Sequence, residues 1–236
     1  MRPDDVGAER DSRNKRVFYT FAVLFRHMED TNNRKLEQGL ALPVMETFAS
    51  VQGEGFHTGL YSYFIRVGGC DVGCHWCDVK ESWDPALHPL TDVETLVAAI
   101  PEEIRTVVVT GGEPLMYDLT YLTYLLKKSG RAVHLETSGT GNLTGRFDWI
   151  CLSPKRQALP AQEIYAEADE LKVIVYNKMD FKFALTEAEK VGPGTRLYLQ
   201  PEWSRRERML PEILDFLRFH PEWKLSVQTH KYLGLP

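Results

Sequence analysis

Three of the four cysteines in this 236-residue chain fall within eight residues, Cys70, Cys74 and Cys77, in the spacing C-x3-C-x2-C. Thiolates crowded this closely repel one another unless a metal centre holds them. The spacing suits three ligands around one iron–sulfur cluster, with the fourth iron left open. Gly68, Gly69 and Gly73 allow the backbone to turn tightly around an inorganic core. The competing arrangement is a zinc knot, which normally needs four closed ligands. The fourth would be His75 or the distant Cys151. Ser62 to Val67, aromatic, β-branched and alternating, reads as a strand that ends at this loop.

The rest of the composition narrows the class. A formal charge of −5 argues against broad binding to a phosphate backbone, so no nucleic-acid partner is expected. Four cysteines, three of them clustered, do not make a disulfide framework. Reduced thiolates at a metal point to a reducing, cytoplasmic setting. No run approaches the ~18 apolar residues of a membrane span. At 43% hydrophobic and 26% charged residues, the chain is an ordinary globular sequence long enough for one sizeable core.

Residues 1–41 are charged and irregular and read as an extension outside the catalytic domain, with Val17–Met28 a candidate short helix. The character changes at residue 42, and residues 42–236 read as one domain. Thr91–Ile100 is a predicted helix with a capping box of Thr91 and Glu94. Arg105–Thr110 is a β-branched run of the kind buried on both faces of a parallel sheet. It leads to Thr110-Gly111-Gly112-Glu113-Pro114 and a leucine-rich helix over Tyr117–Lys128. Further strands are expected over Ala132–Glu136, Trp149–Leu152, Glu170–Val175, Arg196–Gln200 and Lys224–Gln228. Helices are expected over Asp180–Lys190 and Leu210–Phe219.

The alternation of strand, polar loop and helix implies an α/β fold with a parallel sheet and right-handed crossovers. Each polar motif follows the carboxyl end of a strand, where barrel-type α/β folds place their active sites. Six or seven such units are too few for a closed eightfold barrel. The expected architecture is therefore a partial, TIM-like (β/α) barrel in a single domain.

The cysteine loop after one strand and Gly-Gly-Glu-Pro after the next resemble the radical S-adenosylmethionine (SAM) superfamily. Within it, the chain is similar to the 7-carboxy-7-deazaguanine synthase family. The matching stretches are Val51-Gln52-Gly53-Glu54-Gly55, the cysteine loop with Asp78, Thr110 to Pro114, Glu136 to Thr140, Ser153-Pro154-Lys155, Gln200-Pro201 and Gln228-Thr229-His230-Lys231. They run in order through some four fifths of the chain.

The resemblance implies a [4Fe–4S] cluster on Cys70, Cys74 and Cys77, with SAM on the open iron. SAM would be lined by His75, Trp76, Gly111, Gly112, Glu113, Ser138, Ser153, Pro154, Lys155, Gln200 and Pro201. It implies 6-carboxy-5,6,7,8-tetrahydropterin as substrate, contacted by Val51, Gln52, Gly53, Glu54, Arg66, Thr110, His230 and Pro236. The implied reaction is a ring contraction to 7-carboxy-7-deazaguanine with loss of ammonia, in queuosine and 7-deazapurine biosynthesis. A flavodoxin or ferredoxin reductant and a homodimer are implied as well. One position departs from the family pattern. The threonine that binds magnesium beside the last cysteine is replaced by Val79, so magnesium would bind through Asp78, waters and substrate oxygens, or Lys80 or another cation would replace it. The competing functions are a glycyl-radical activase with the same cluster spacing and a non-catalytic zinc module.

Overall fold

Runs of leucine and β-branched residues recur between the polar loops, and most become parallel strands. The computed structural model describes residues 30–236. Its strands are β1 (Ala41–Val51), β2 (Tyr61–Val67), β3 (Leu90–Asp92), β4 (Thr106–Gly111), β5 (Ala132–Thr137), β6 (Trp149–Leu152), β7 (Glu170–Val175), β8 (Arg196–Pro201) and β9 (Trp223–Leu225). They form one sheet in the order β3-β1-β2-β4-β5-β6-β7-β8-β9. The seven strands from β2 through β4 to β9 are parallel throughout. β1 is antiparallel to β2, and β3 to β1. The sheet curls without closing, as the count of units implied.

The helices are α1 (residues 30–37), α2 (Val93–Ala98), α3 (Thr120–Lys128), α4 (Ile164–Glu167), α5 (Met179–Ala188), α6 (Arg206–Phe219) and α7 (Thr229–Leu233). α2 to α6 pack on the outer face of the sheet, and strand periodicity decides what they cover. In β7, Leu171, Val173 and Val175 join the apolar core, while Lys172 and Ile174 face the barrel interior. In β5, Val133 and Leu135 face outward and Glu136 inward. The interior is polar because β2, β5, β7 and β8 place Arg66, Glu136, Lys172 and Gln200 in the inward phase.

The loop between β1 and β2 fills the closed end of the barrel. Val51 pairs with Tyr61, so the loop begins and ends at the amino end of the parallel strands. Phe56 stacks on Trp149 at 4.9 Å, and the Arg196 guanidinium lies 4.1 Å above the Phe56 ring. Those two partners are the first residues of β6 and β8. Phe56 N donates to Glu170 Oε2 at 3.1 Å, Gly55 N to Ser226 Oγ at 2.9 Å, and Thr229 N to Gly53 O at 2.9 Å.

Several sequence expectations shift. The candidate helix Val17–Met28 lies outside the described residues. The expected domain start at residue 42 falls one residue inside β1, and the residues before it pack on the sheet: Lys35 Nζ reaches Asp92 Oδ1 at 2.7 Å. The capping box of Thr91 and Glu94 does not form. β1 recruits Leu90–Asp92 as a strand, the helix starts at Val93 behind Asp92, and Glu94 accepts from Tyr121 OH at 2.7 Å. The helix expected from Tyr117 begins at Thr120, because Pro114–Met116 forms a 3-10 turn first. The last strand stops at Leu225 rather than Gln228. Beyond it, Ser226 and Gln228 turn inward to bond the loop under the barrel.

Candidate active site

At the carboxyl ends of the parallel strands lies an open cavity of about 300 Å³. One wall is the cysteine loop, with Cys70, Cys74, Trp76 and Cys77. The loop is held by the motifs around it. Gly69 N donates to Ser82 O at 2.6 Å, Tyr117 OH to Gly68 O at 2.7 Å, and Glu113 N to Gly69 O at 2.7 Å. Gly112 must be glycine, since a Cβ there would sit 2.0 Å from Gly69 O. Gly-Gly-Glu-Pro thus abuts the cysteine loop directly.

The donor chemistry of this wall fits an iron–sulfur cluster and not a zinc knot. Among the described residues, no three His, Cys, Asp or Glu side chains converge on a single ion. Neither proposed fourth zinc ligand joins the cysteines. His75 packs edge-on against Tyr176 at 5.0 Å, on the outer side of the loop. Cys151 is buried on β6, where burial first, and then the Glu136 and Glu170 carboxylates, push its thiol well above its usual range. Cys70 and Cys74 are also pushed up by burial, with Lys155 offsetting part of this at Cys74. Three sulfurs open to a cavity suit a cluster with one iron free for a ligand.

The opposite wall collects the remaining motifs. Gly111, Ser138, Ser153, Lys155, Gln200 and Pro201 all line the cavity. His75 and Pro154 do not; they line a small cleft behind it with Tyr176 and Asp180. Glu113 also faces the cavity, yet its carboxylate is already used. It accepts from Leu115 N, Thr137 Oγ1, Ser138 N and Ser138 Oγ. It therefore bolts the β4 loop to the β5 loop, and Ser138 is tied by the same bolt. Lys155 Nζ donates to Ser153 Oγ at 2.8 Å and lies 5.9 Å over the Trp76 ring. The Gln200 carbonyl accepts from Ser226 Oγ at 2.7 Å.

The floor is a buried ionic network. Lys172 Nζ donates to Glu54 Oε2 at 2.6 Å and to Glu136 Oε2 at 2.8 Å. Gln52 Nε2 donates to Glu136 Oε1 at 3.1 Å, and Gln228 Nε2 to Glu54 Oε1 at 2.8 Å. Burial pushes the Glu54 carboxyl up, but the Lys172 charge and the bonds from Lys172 and Gln228 outweigh it and hold it at about 2. Just below, Glu170 is pushed up to about 7 by burial; Glu136 adds to the rise and Lys172 opposes it. Gly53 lets the chain pass His230, whose Nδ1 would lie 1.9 Å from a Cβ there. Arg66, Thr110 and Pro236 line the remaining side, with Val51. Arg66 Nε is paired with Glu46 Oε1 at 2.7 Å, and its guanidinium lies 5.8 Å over Phe48. At the rim, Asp78 Oδ2 is paired with Lys231 Nζ.

Lys172, Glu136 and Gln228 have no place in the sequence-based list of site residues, yet they build the floor. A signal was present. Glu170 and Lys172 stand two apart in the otherwise apolar run Glu170–Val175, the spacing of one strand face. A charged pair inside a strand covered on its other face has only the barrel interior to point into.

An open parallel barrel with a three-cysteine loop at the carboxyl end of its first parallel strand defines a radical SAM protein. The Radical SAM superfamily model matches residues 64–150. The 7-carboxy-7-deazaguanine synthase of Flavobacterium psychrophilum is 55% identical over 201 residues, 85% of this chain and 96% of that protein. That of Synechocystis sp. is 52% identical over 197 residues, 83% of this chain and 94% of that protein. A crystal structure of QueE from Escherichia coli superposes with a TM-score of 0.72 at 30% identity, covering 84% of this chain and 98% of that one. The chain belongs to the 7-carboxy-7-deazaguanine synthase family. A [4Fe–4S] cluster and SAM are the cofactors that membership of the radical SAM superfamily brings. Among the described residues, no helix is long and apolar enough to cross a membrane.

Proposed function

We propose that this chain is a carbon–nitrogen lyase that converts 6-carboxy-5,6,7,8-tetrahydropterin to 7-carboxy-7-deazaguanine, the product being the substrate less one ammonia. The observation that carries this reading is the pairing of the two ends of one cavity: three cysteine sulfurs at the mouth and a fixed set of carboxylate, ammonium and amide groups on the floor. A pterin offers a guanine-like edge of alternating N–H and carbonyl groups at one end and a carboxylate at the other. Glu54 and Glu136 accept from the N–H groups, and Lys172 and Gln52 donate to the carbonyl side. Arg66 is placed for the carboxylate, which a guanidinium grips with parallel hydrogen bonds. The cofactors would supply the hydrogen-abstracting radical, a chemistry the side chains cannot provide.

In this reading Cys70, Cys74 and Cys77 hold the cluster. Gly111, Gly112, Ser153, Lys155, Gln200 and Pro201 line the SAM side, and Thr110, His230 and Pro236 complete the substrate side. Glu113 and Ser138 act through the bolt between their loops. Magnesium would take one oxygen from Asp78 and fill its other positions with water and substrate oxygens. Lys231 pairs with Oδ2 of the same carboxylate, and Val79 offers the ion no donor. A cytoplasmic homodimer supplied with electrons by flavodoxin or ferredoxin completes the proposal.

The test is anaerobic turnover of reconstituted, reduced protein with SAM and the carboxytetrahydropterin, with and without magnesium. The expected result is 7-carboxy-7-deazaguanine and ammonia in equal amounts with SAM unconsumed. SAM cleavage that needs a protein partner, and yields no deazaguanine, would replace this reading with a glycyl-radical activase.

A further inference from the structure

The three cysteine sulfurs are not served alike. Cys77 Sγ takes a hydrogen bond from Val79 N at 3.4 Å, a donor that belongs to the cysteine loop itself. Cys74 Sγ is bonded instead by a side chain 83 residues away: Gln157 Nε2 donates to it at 3.0 Å. Gln157 is carried by the turn after Ser153-Pro154-Lys155. That turn closes with Ala158 N donating to Lys155 O at 3.2 Å and a bridge between Lys155 and Ala158. Its base is fixed, because the Lys155 ammonium is bonded to Ser153. The amide is thus delivered to one sulfur by a braced turn, although Gln157 itself is exposed.

We propose that Gln157 is a positioning residue of the iron–sulfur centre: its amide N–H bonds the Cys74 thiolate and raises the reduction potential of the cluster. The physical basis is that reduction adds negative charge, part of which falls on the ligand sulfurs. A donor aimed at a sulfur therefore stabilises the reduced form more than the oxidised one, and hydrogen bonds to sulfur are among the factors that set cluster potentials. Through this contact the turn after Ser153-Pro154-Lys155 would act on the cluster as well as lining the cavity. The inference rests on the assignment of Cys70, Cys74 and Cys77 as cluster ligands.

The test compares wild type, Gln157→Leu and Gln157→Glu, each reconstituted anaerobically and titrated with the reduced-cluster EPR signal as readout. Leucine removes the donor at similar size, and glutamate replaces it with a charge that opposes reduction. The expected midpoint potentials fall in the order wild type, leucine, glutamate, at equal iron and sulfide content. Equal potentials in wild type and Gln157→Leu would overturn the proposal. A second readout does not depend on how well either variant loads its cluster. Wild type labelled with 15N in its glutamine side chains should show a 15N coupling to the reduced cluster in pulsed EPR. No coupling in a wild type that holds its cluster overturns the role of Gln157 alone. A wild type that binds no cluster overturns the ligand assignment instead, and this inference with it.

Discussion

Lys172 is the only cation bonded to two carboxylates at once among the described residues, and its loss has a calculable cost. It is 3% exposed and contacts Glu54 and Glu136 within 2.8 Å. In Lys172→Met the methylene stem keeps its packing, but Glu54, Glu136 and Glu170 are left sharing one interior. Removing one partner of a buried pair costs about 3–5 kcal/mol, because the other charge stays buried. The Glu54 and Glu136 side chains keep 19% and 21% of their surface in contact with solvent, so the low end applies. The direction agrees with the carboxyl itself: against burial, the Lys172 charge and the bonds from Lys172 and Gln228 hold Glu54 at about 2, below an ordinary 4.5. A loss of ~3 kcal/mol lowers Tm by roughly 6–12 °C in a chain of this length. The sign with pH follows from linkage. In wild type, the depressed Glu54 adds stability above the unfolded value of 4.5, and that stability is lost only as pH falls toward about 2. Without Lys172, burial pushes Glu54 up instead, so the variant loses stability as pH rises. Calorimetry on anaerobic protein should show the full deficit at pH 8 and a smaller one at pH 5. A Tm change under about 2 °C at pH 8, or the same change at both pH values, would refute the reasoning.

Three further outcomes are expected. Glu170 sits at about 7, so ionising it costs the folded state stability as pH rises through the range 4.5 to 7. Glu170→Gln should raise Tm at pH 8 and leave it near wild type at pH 5; an equal effect at both would contradict the raised value. Gly112→Ala brings a Cβ to 2.0 Å from Gly69 O, so the cysteine loop must move. Reconstituted iron content should fall severalfold while far-UV circular dichroism stays unchanged. Arg66→Ala removes a charge-assisted contact of about 1.5–3 kcal/mol. KM for the carboxytetrahydropterin should rise roughly ten- to hundredfold with cluster absorbance intact; an unchanged KM would remove Arg66 from the substrate site.

The parts of the molecule legible in the sequence are those fixed by local chemistry. Trp149–Leu152 and Glu170–Val175 form at their expected boundaries because each is a short β-branched or leucine-rich run between polar loops. The cysteine loop, Gly111, Gly112 and the Gln52 to Glu54 segment could be placed in one site because spacing and glycine positions survive without tertiary information. What escaped was set by contacts between distant residues. β3 exists because β1 pairs with it, and no run of three residues announces that. The stop at Leu225 comes from Gln228 being drawn inward to Glu54, 174 positions away. Glu113 accepts from Thr137 and Ser138, a partnership only the fold reveals. The pairing of Asp78 with Lys231, far apart in the chain, is likewise set by the fold alone.

The loop beneath the barrel also sets an order of events during synthesis. Residues 52–56 are made early, but their partners are spread along nearly all of the remaining chain: Glu136, Glu170, Lys172, Ser226 and Gln228. At about 5–20 residues per second, the 174 positions between Glu54 and Gln228 take roughly 10 to 35 s to emerge from a ribosome. For that interval the loop has no floor to form. Its Gln52 and Glu54 keep it hydrated and charged while it waits, where an apolar plug of the same shape would be free to stick to other nascent chains. The polarity of this segment thus suits it to wait in water until its partners at the far end of the chain are made.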